Sequence, residues 1–151
     1  MKTKFKKPEI PEISRKILNK ISKTKNKNAR VLALSGDLGA GKTTLTQEIA
    51  KQLGIKKGIV SPTFVIMKFY EIDSRSKYYS QFKKLIHIDA YRLESADDLI
   101  RIGWKKLIED KDNLIIIEWP ENVDGCLSES VFWVKLEHVD EETRLFEFWY
   151  N

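Results

Sequence analysis

One stretch constrains this chain more than any other: Gly36-Asp37-Leu38-Gly39-Ala40-Gly41-Lys42-Thr43. It matches G-x-x-x-x-G-K-[ST] at every fixed position. An apolar run, Val31-Leu32-Ala33-Leu34, precedes it, and Leu45, Ile49, Ala50 and Leu53 follow at helical spacing. The order strand, glycine loop, helix is therefore built in. Glycines let the backbone take positive φ and approach an anion closely, so that successive N–H groups face inward as a nest. The helix opening at Lys42 adds partial positive charge at the same point. Asp37 to Thr44 is the expected phosphate cradle. Lys42 is placed to reach the β- and γ-phosphates of a nucleotide, and the Thr43 hydroxyl to serve Mg2+. A dinucleotide loop, G-x-G-x-x-G, fails here, because its third glycine would fall on Thr44.

The rest of the chain supplies a sheet for that loop. Residues 1–11 carry Pro8 and Pro11 and read as a flexible basic arm. Ser14 begins a helix running to about Lys23. Strands are expected at Phe64 to Tyr70, Leu85 to Asp89 and Leu114 to Ile117, with a final hairpin of Val131 to Glu137 and Arg144 to Trp149. Asp97 to Leu107 is helical, interrupted near Gly103, and the polar Asp73 to Lys84 is a surface loop. This order predicts a three-layer α/β P-loop NTPase fold with a mixed central sheet, in which residues 12–151 form a single domain.

Ligands of open α/β sheets lie beyond the carboxyl ends of the strands, so acids there matter. Leu114-Ile115-Ile116-Ile117-Glu118 is four apolar residues ending in an acid, a Walker B pattern with Glu in place of Asp. Glu118 is the expected Mg2+ partner beside Thr43, directly or through water. Leu85-Ile86-His87-Ile88-Asp89 is the other such run, and Asp89 suits a water-orienting role. Lys42, Asp89 and Glu118 are thus the candidate catalytic residues. His87, between two isoleucines, reads as a partly buried structural histidine with a proton carrier as the alternative. Arg92 suits either developing phosphate charge or an ion pair. Trp119 is placed to pack Glu118 or to offer a stacking surface. Ser61-Pro62-Thr63 lies where a switch loop would, with Thr63 as a γ-phosphate sensor or a plain turn residue. No N-K-x-D guanine-reading segment occurs, which leaves ATP as the expected nucleotide.

Composition narrows the class. Hydrophobic residues at 42% and charged residues at 32% describe a foldable soluble chain rather than a disordered one. No apolar run approaches the length that crosses a bilayer, and no apolar segment follows the basic N-terminus as a secretory signal would. One cysteine, Cys126, excludes an internal disulfide and agrees with a cytoplasmic location. A net charge of +5, much of it in Lys2, Lys4, Lys6, Lys7 and the run from Lys16 to Arg30, reads as a solvated lysine-rich face or a polyanion contact.

Four segments in order carry a family resemblance: Leu34 to Thr44 around the glycine loop, Ser61-Pro62-Thr63-Phe64, His87-Ile88-Asp89-Ala90-Tyr91-Arg92, and Ile117-Glu118-Trp119-Pro120-Glu121. Together they resemble the TsaE (YjeE) family of bacterial ATPases over roughly residues 12–123. The resemblance implies ATP hydrolysis with Mg2+ in support of threonylcarbamoyladenosine (t6A) modification of tRNA. It implies a TsaB–TsaD heterodimer as partner, with tRNA met through that complex and no membrane. By position, Lys42 and Thr43 match the phosphate and Mg2+ residues, Glu118 the Mg2+-linked acid, and Asp89 and Trp119 residues linked to activity. Ser14 stands near a threonine that the family keeps close to the nucleotide, and Arg144 near an arginine turn. A small P-loop kinase of a nucleoside or metabolite, and a nucleotide-dependent switch with negligible hydrolysis, are the competing readings.

Overall fold

Val31 to Leu34 are buried on both faces and form the heart of β2 (Arg30–Ser35), the central strand of a seven-stranded mixed sheet. A computed structural model describes residues 1–128 and 130–151. β2 pairs in parallel with β5 (Asn113–Glu118) on one side and with β6 (Val131–His138) on the other. β4 (Lys84–Asp89) adds in parallel to β5, and β3 (Met67–Glu71) adds antiparallel to β4. β7 (Thr143–Tyr150) closes a hairpin with β6, and β1 (Lys2–Lys6) pairs antiparallel with β7. The sheet order is β1-β7-β6-β2-β5-β4-β3.

Two cores flank the sheet, and strand periodicity divides the side chains between them. Leu32, Leu34, Leu114, Ile116 and Leu85 face α1 (Ile10–Lys23) and α2 (Lys42–Gln52). Val31, Ala33, Ile115, Ile117, Ile86 and Ile88 face the other way, against Leu99 of α3 (Ala96–Arg101) and Trp104 of α4 (Trp104–Glu109). Gly103, with φ 103°, breaks α3 from α4 at the expected point. Helix, sheet, helix gives the three layers. No helix among the described residues is long and apolar enough to cross a membrane.

The N-terminus departs from expectation. Residues 2–6 are not a loose arm but an edge strand, tied by the Phe5–Arg144 and Lys2–Glu147 register. The N-terminal amine donates to the Phe148 carbonyl at 2.6 Å. Only Phe5 of β1 is buried, stacked edge-on against Phe146 at 6.4 Å, so the local pattern carries almost no strand signal. Nor do the prolines break the chain. Pro8 sits in a 3-10 turn (Lys7–Glu9), and Pro11 lies in the first turn of α1, where a missing N–H costs nothing. Helix α1 therefore starts four residues before Ser14. In the loop after β3, Tyr78 and Phe82 are buried against the core, so an outwardly polar segment is pinned from within.

Candidate functional site

The glycine loop links β2 to α2. Gly36 has φ 141°, and a Cβ there would run into the Leu136 carbonyl of β6, so the close approach of loop to strand admits only glycine. Gly41, at φ 105°, occupies the N-cap of α2 and turns the chain into the helix. The loop backbone stands between two cavities. One, of about 350 Å³, is walled by Leu38, Gly39, Gly41, Lys42, Thr43 and Thr44 on one side and by Ser61, Thr63, Asp89, Tyr91, Glu118 and Trp119 on the other. The second, of about 310 Å³, lies behind the same glycines, between Phe5, Lys7, Ile10, Ile13, Leu136 and Arg144.

Lys42 is 5% exposed and its Nζ donates to the carbonyls of Gly36 and, at 2.9 Å, Asp37. Among the described residues no carboxylate forms a salt bridge with it. Burial pushes its pKa below the usual lysine value, opposed by the fields of Glu118, Glu121, Asp89 and Asp37. An ammonium held by neutral carbonyls, with no carboxylate bonded to it among the described residues, is open to an incoming anion. Asp37 faces solvent and contributes its carbonyl rather than its carboxylate, while Ala40 is buried with its side toward the second cavity.

Glu118 ends β5 and Asp89 ends β4, directly paired in the parallel register. Thr43 Oγ1 lies 3.2 and 3.3 Å from the two Glu118 oxygens. Asp89 is bound otherwise: its Oδ2 accepts from Ser61 at 3.1 Å and Thr63 at 2.8 Å, and its Oδ1 accepts the Tyr91 N–H at 3.0 Å. So the three candidate catalytic residues, Lys42, Asp89 and Glu118, line one cleft, and Thr43 joins them there. Among the described residues no group of three or more His, Cys, Asp or Glu side chains could hold a metal by itself. A hydroxyl and a carboxylate beside a phosphate cradle nevertheless suit Mg2+, which keeps waters and takes phosphate oxygens as its other ligands. The donor set fits that ion.

Other expected residues fall elsewhere. Ser14 is fully buried, donates to the Pro11 carbonyl at 3.0 Å and accepts from Gln52, so it packs α1 on α2 and lines neither cavity beside the glycine loop. Arg92 makes no ion pair among the described residues; its guanidinium lies 4.7 Å over the Phe64 ring. Trp119, at φ 58°, puts its ring 4.2 Å from Lys42 Nζ and 5.1 Å from the Tyr91 ring. Cys126 bonds the Val123 carbonyl, and burial raises its thiol pKa, which suits an inert role. Phe5 and Lys7 were not foreseen. They reach the second cavity only because β1 joins the sheet, and no local signal announces that. His87, expected as a partly buried structural histidine or a proton carrier, is fully buried and touches Glu118.

A strand feeding a glycine loop into a helix, with acids at the tips of β4 and β5 in a mixed sheet, defines a P-loop NTPase fold. The family model described as "Threonylcarbamoyl adenosine biosynthesis protein TsaE" matches residues 8–146. A relative in Rickettsia felis, named tRNA threonylcarbamoyladenosine biosynthesis protein TsaE, is 36% identical over 76% of this chain and 62% of its own length. The chain thus spans less than two thirds of that relative. A protein of the same name in Haemophilus influenzae is 32% identical over 79% of this chain and 70% of its own. The crystal structure of Bacillus subtilis YdiB superposes with a TM-score of 0.68 at 27% identity, covering 98% of this chain and 83% of that one. The chain belongs to the TsaE family.

Proposed function

We propose that the chain is a cytoplasmic Mg2+-dependent ATPase that supports t6A modification of tRNA by acting with a TsaB–TsaD heterodimer. Transfer RNA is met through that complex. The names of the relatives support the pathway, and the site supports the chemistry. The single observation that carries the ATPase reading is Lys42: a buried ammonium at the glycine loop, bonded to carbonyls and, among the described residues, without a carboxylate partner.

On this reading the loop amides from Asp37 to Thr44 cradle the phosphates, and Lys42 exchanges its carbonyl partners for phosphate oxygens. Because that exchange favours charge developing on a transferring phosphoryl group, Lys42 lowers the barrier as well as binding. Thr43 and Glu118 would hold Mg2+, which supplies charge neutralisation at the β- and γ-oxygens. Asp89, fixed by Ser61, Thr63 and the Tyr91 amide, keeps a carboxylate in the cleft wall, suited to orienting water. The apolar and basic cavity between Phe5, Ile13 and Arg144 suits the base and ribose. Residues 1–11 therefore act with residues 12–151 as one nucleotide-binding unit.

Among the described residues no side chain is arranged as a strong base toward the cleft, so slow hydrolysis by the isolated chain is expected, raised by the partner. Phosphate release from ATP, measured alone, with TsaB–TsaD, with EDTA and with nucleoside acceptors, tests this. Stimulation by TsaB–TsaD that EDTA abolishes is the expected result. Turnover that requires an acceptor would instead favour a kinase, and Mg2+-dependent binding without phosphate release would favour a switch.

A further inference from the structure

His87 is a buried titratable group directly behind the cleft wall, and the mechanism above gives it no part. It is fully buried in the middle of β4, and its Nε2 lies 2.8 Å from Glu118 Oε1. The contact follows from register. His87 and Asp89 are two apart on β4 and share a face, and Asp89 sits opposite Glu118 on β5. The imidazole therefore lies one step back from the tip, under the Glu118 carboxylate.

The two ring nitrogens differ. Nε2 meets a carboxylate oxygen, which only accepts, so Nε2 carries the hydrogen and donates it. Nδ1 has no hydrogen-bond partner among the described residues. The ring thus aims a donor at one chosen oxygen of Glu118.

That choice has a consequence for the carboxylate. Glu118 is 3% exposed, so its oxygens cannot rely on bulk water for orientation. Oε1 meets His87 at 2.8 Å and the Thr43 hydroxyl at 3.2 Å, while Oε2 meets, among the described residues, the Thr43 hydroxyl alone, at 3.3 Å. We infer that His87 is a positioning residue: it pins Oε1 of Glu118 from within the sheet and so leaves Oε2, the oxygen His87 does not touch, to serve a divalent cation or its bound water. Partners that orient a metal-linked carboxylate in this way are typically worth roughly ten- to a hundredfold in metal affinity. The inference rests on the Mg2+–nucleotide reading of the site.

Calorimetric titration of Mg2+ in the presence of ADP tests it, on the full chain and on His87→Leu and His87→Gln. Leucine keeps apolar bulk without a donor, and glutamine restores an N–H at similar reach. His87→Leu is expected to raise the Mg2+ concentration for half-saturation roughly tenfold or more. ADP affinity in EDTA should stay within about twofold, and His87→Gln should recover most of the loss. Unchanged Mg2+ dependence in His87→Leu overturns the inference, as does an equal loss of ADP affinity in EDTA, which marks a packing role. Should His87→Leu fail to fold, the unsubstituted protein decides by 15N–1H spectra of the imidazole. A slowly exchanging hydrogen on Nε2 that persists with Mg2+ and ADP supports the inference, and an Nε2 that carries no hydrogen overturns it. If the unsubstituted chain binds ADP with no Mg2+ dependence, the underlying reading falls and this inference with it. A normal dependence that ignores His87 removes the inference alone.

Discussion

Lys42 Nζ lies 4.2 Å from the centroid of the Trp119 ring, with the indole brought there by a backbone turn at φ 58°. The ring face is a weak substitute for a counter-ion. When phosphate draws the ammonium away, the indole changes its surroundings. Nucleotide binding with Mg2+ should therefore change tryptophan fluorescence, and Trp119→Phe should remove most of that change although Trp104, Trp133 and Trp149 remain. A signal that survives Trp119→Phe undiminished would contradict this contact.

Removal of the ammonium should cost catalysis rather than folding. The Lys42 Nζ contacts are to loop carbonyls, and the packing of α2 rests on Leu45, Ile49, Ala50 and Leu53. Lys42→Ala should lower ATP turnover by roughly a hundred- to a thousandfold, as loss of a donor to developing charge generally does. Thermal melting should shift little. Phosphate release and circular dichroism report the two quantities separately.

The pKa of Lys42 gives a signed pH dependence. Burial disfavours the charged form and lowers the pKa from 10.5, so the charge is lost at a lower pH than for an unfolded lysine. The charged ammonium binds phosphate, so nucleotide affinity should fall as pH rises through the lowered value, before 10.5 is reached. Stability runs the other way: a depressed lysine destabilises the fold while both states are protonated, and this penalty disappears as pH climbs from the folded value to 10.5. Binding titrations and melts across alkaline pH should show these opposite trends.

Thr43 and Glu118 should act on the metal. Glu118→Gln keeps the shape and the hydrogen-bonding capacity but removes the charge, and Thr43→Ala removes the hydroxyl. Both should raise the Mg2+ needed for half-maximal turnover, with the larger effect in Glu118→Gln. ADP binding in EDTA should hardly change in Thr43→Ala. Normal turnover by Glu118→Gln at low Mg2+ would remove Glu118 from the metal site.

Phe5 joins stability to binding. It is 6% exposed, packs edge-on against Phe146 and lines the cavity behind the glycine loop. Phe5→Ala should cost about 3 kcal/mol, the low end for burying and then deleting such a ring, because β1 is an edge strand. For a chain of this size that is a fall in Tm of roughly 6–12 °C. Nucleotide affinity should drop along with it, whereas a purely loose arm would give neither effect.

The sequence by itself determined the phosphate loop, because glycines, lysine and threonine at fixed spacing encode it locally between an apolar run and a helix period. It also determined the two acid-tipped strands, since a largely apolar run ending in a carboxylate needs no distant partner to be read. What it lacked was neighbours. Phe5 sits among four exposed residues, and only pairing with β7, 140 or so residues away along the chain, makes that segment a strand. Phe64 to Ile66 carry β-favouring side chains, yet Ile66 turns at φ 67° and β3 begins at Met67, because Asp89 draws Ser61 and Thr63 into a bend above it. His87 alternates like any core residue, and only the register of β4 against β5 puts its ring against Glu118. Local chemistry is written in adjacent residues, but which side chain meets which across a sheet depends on strand order and register, and these are fixed by packing the whole chain at once.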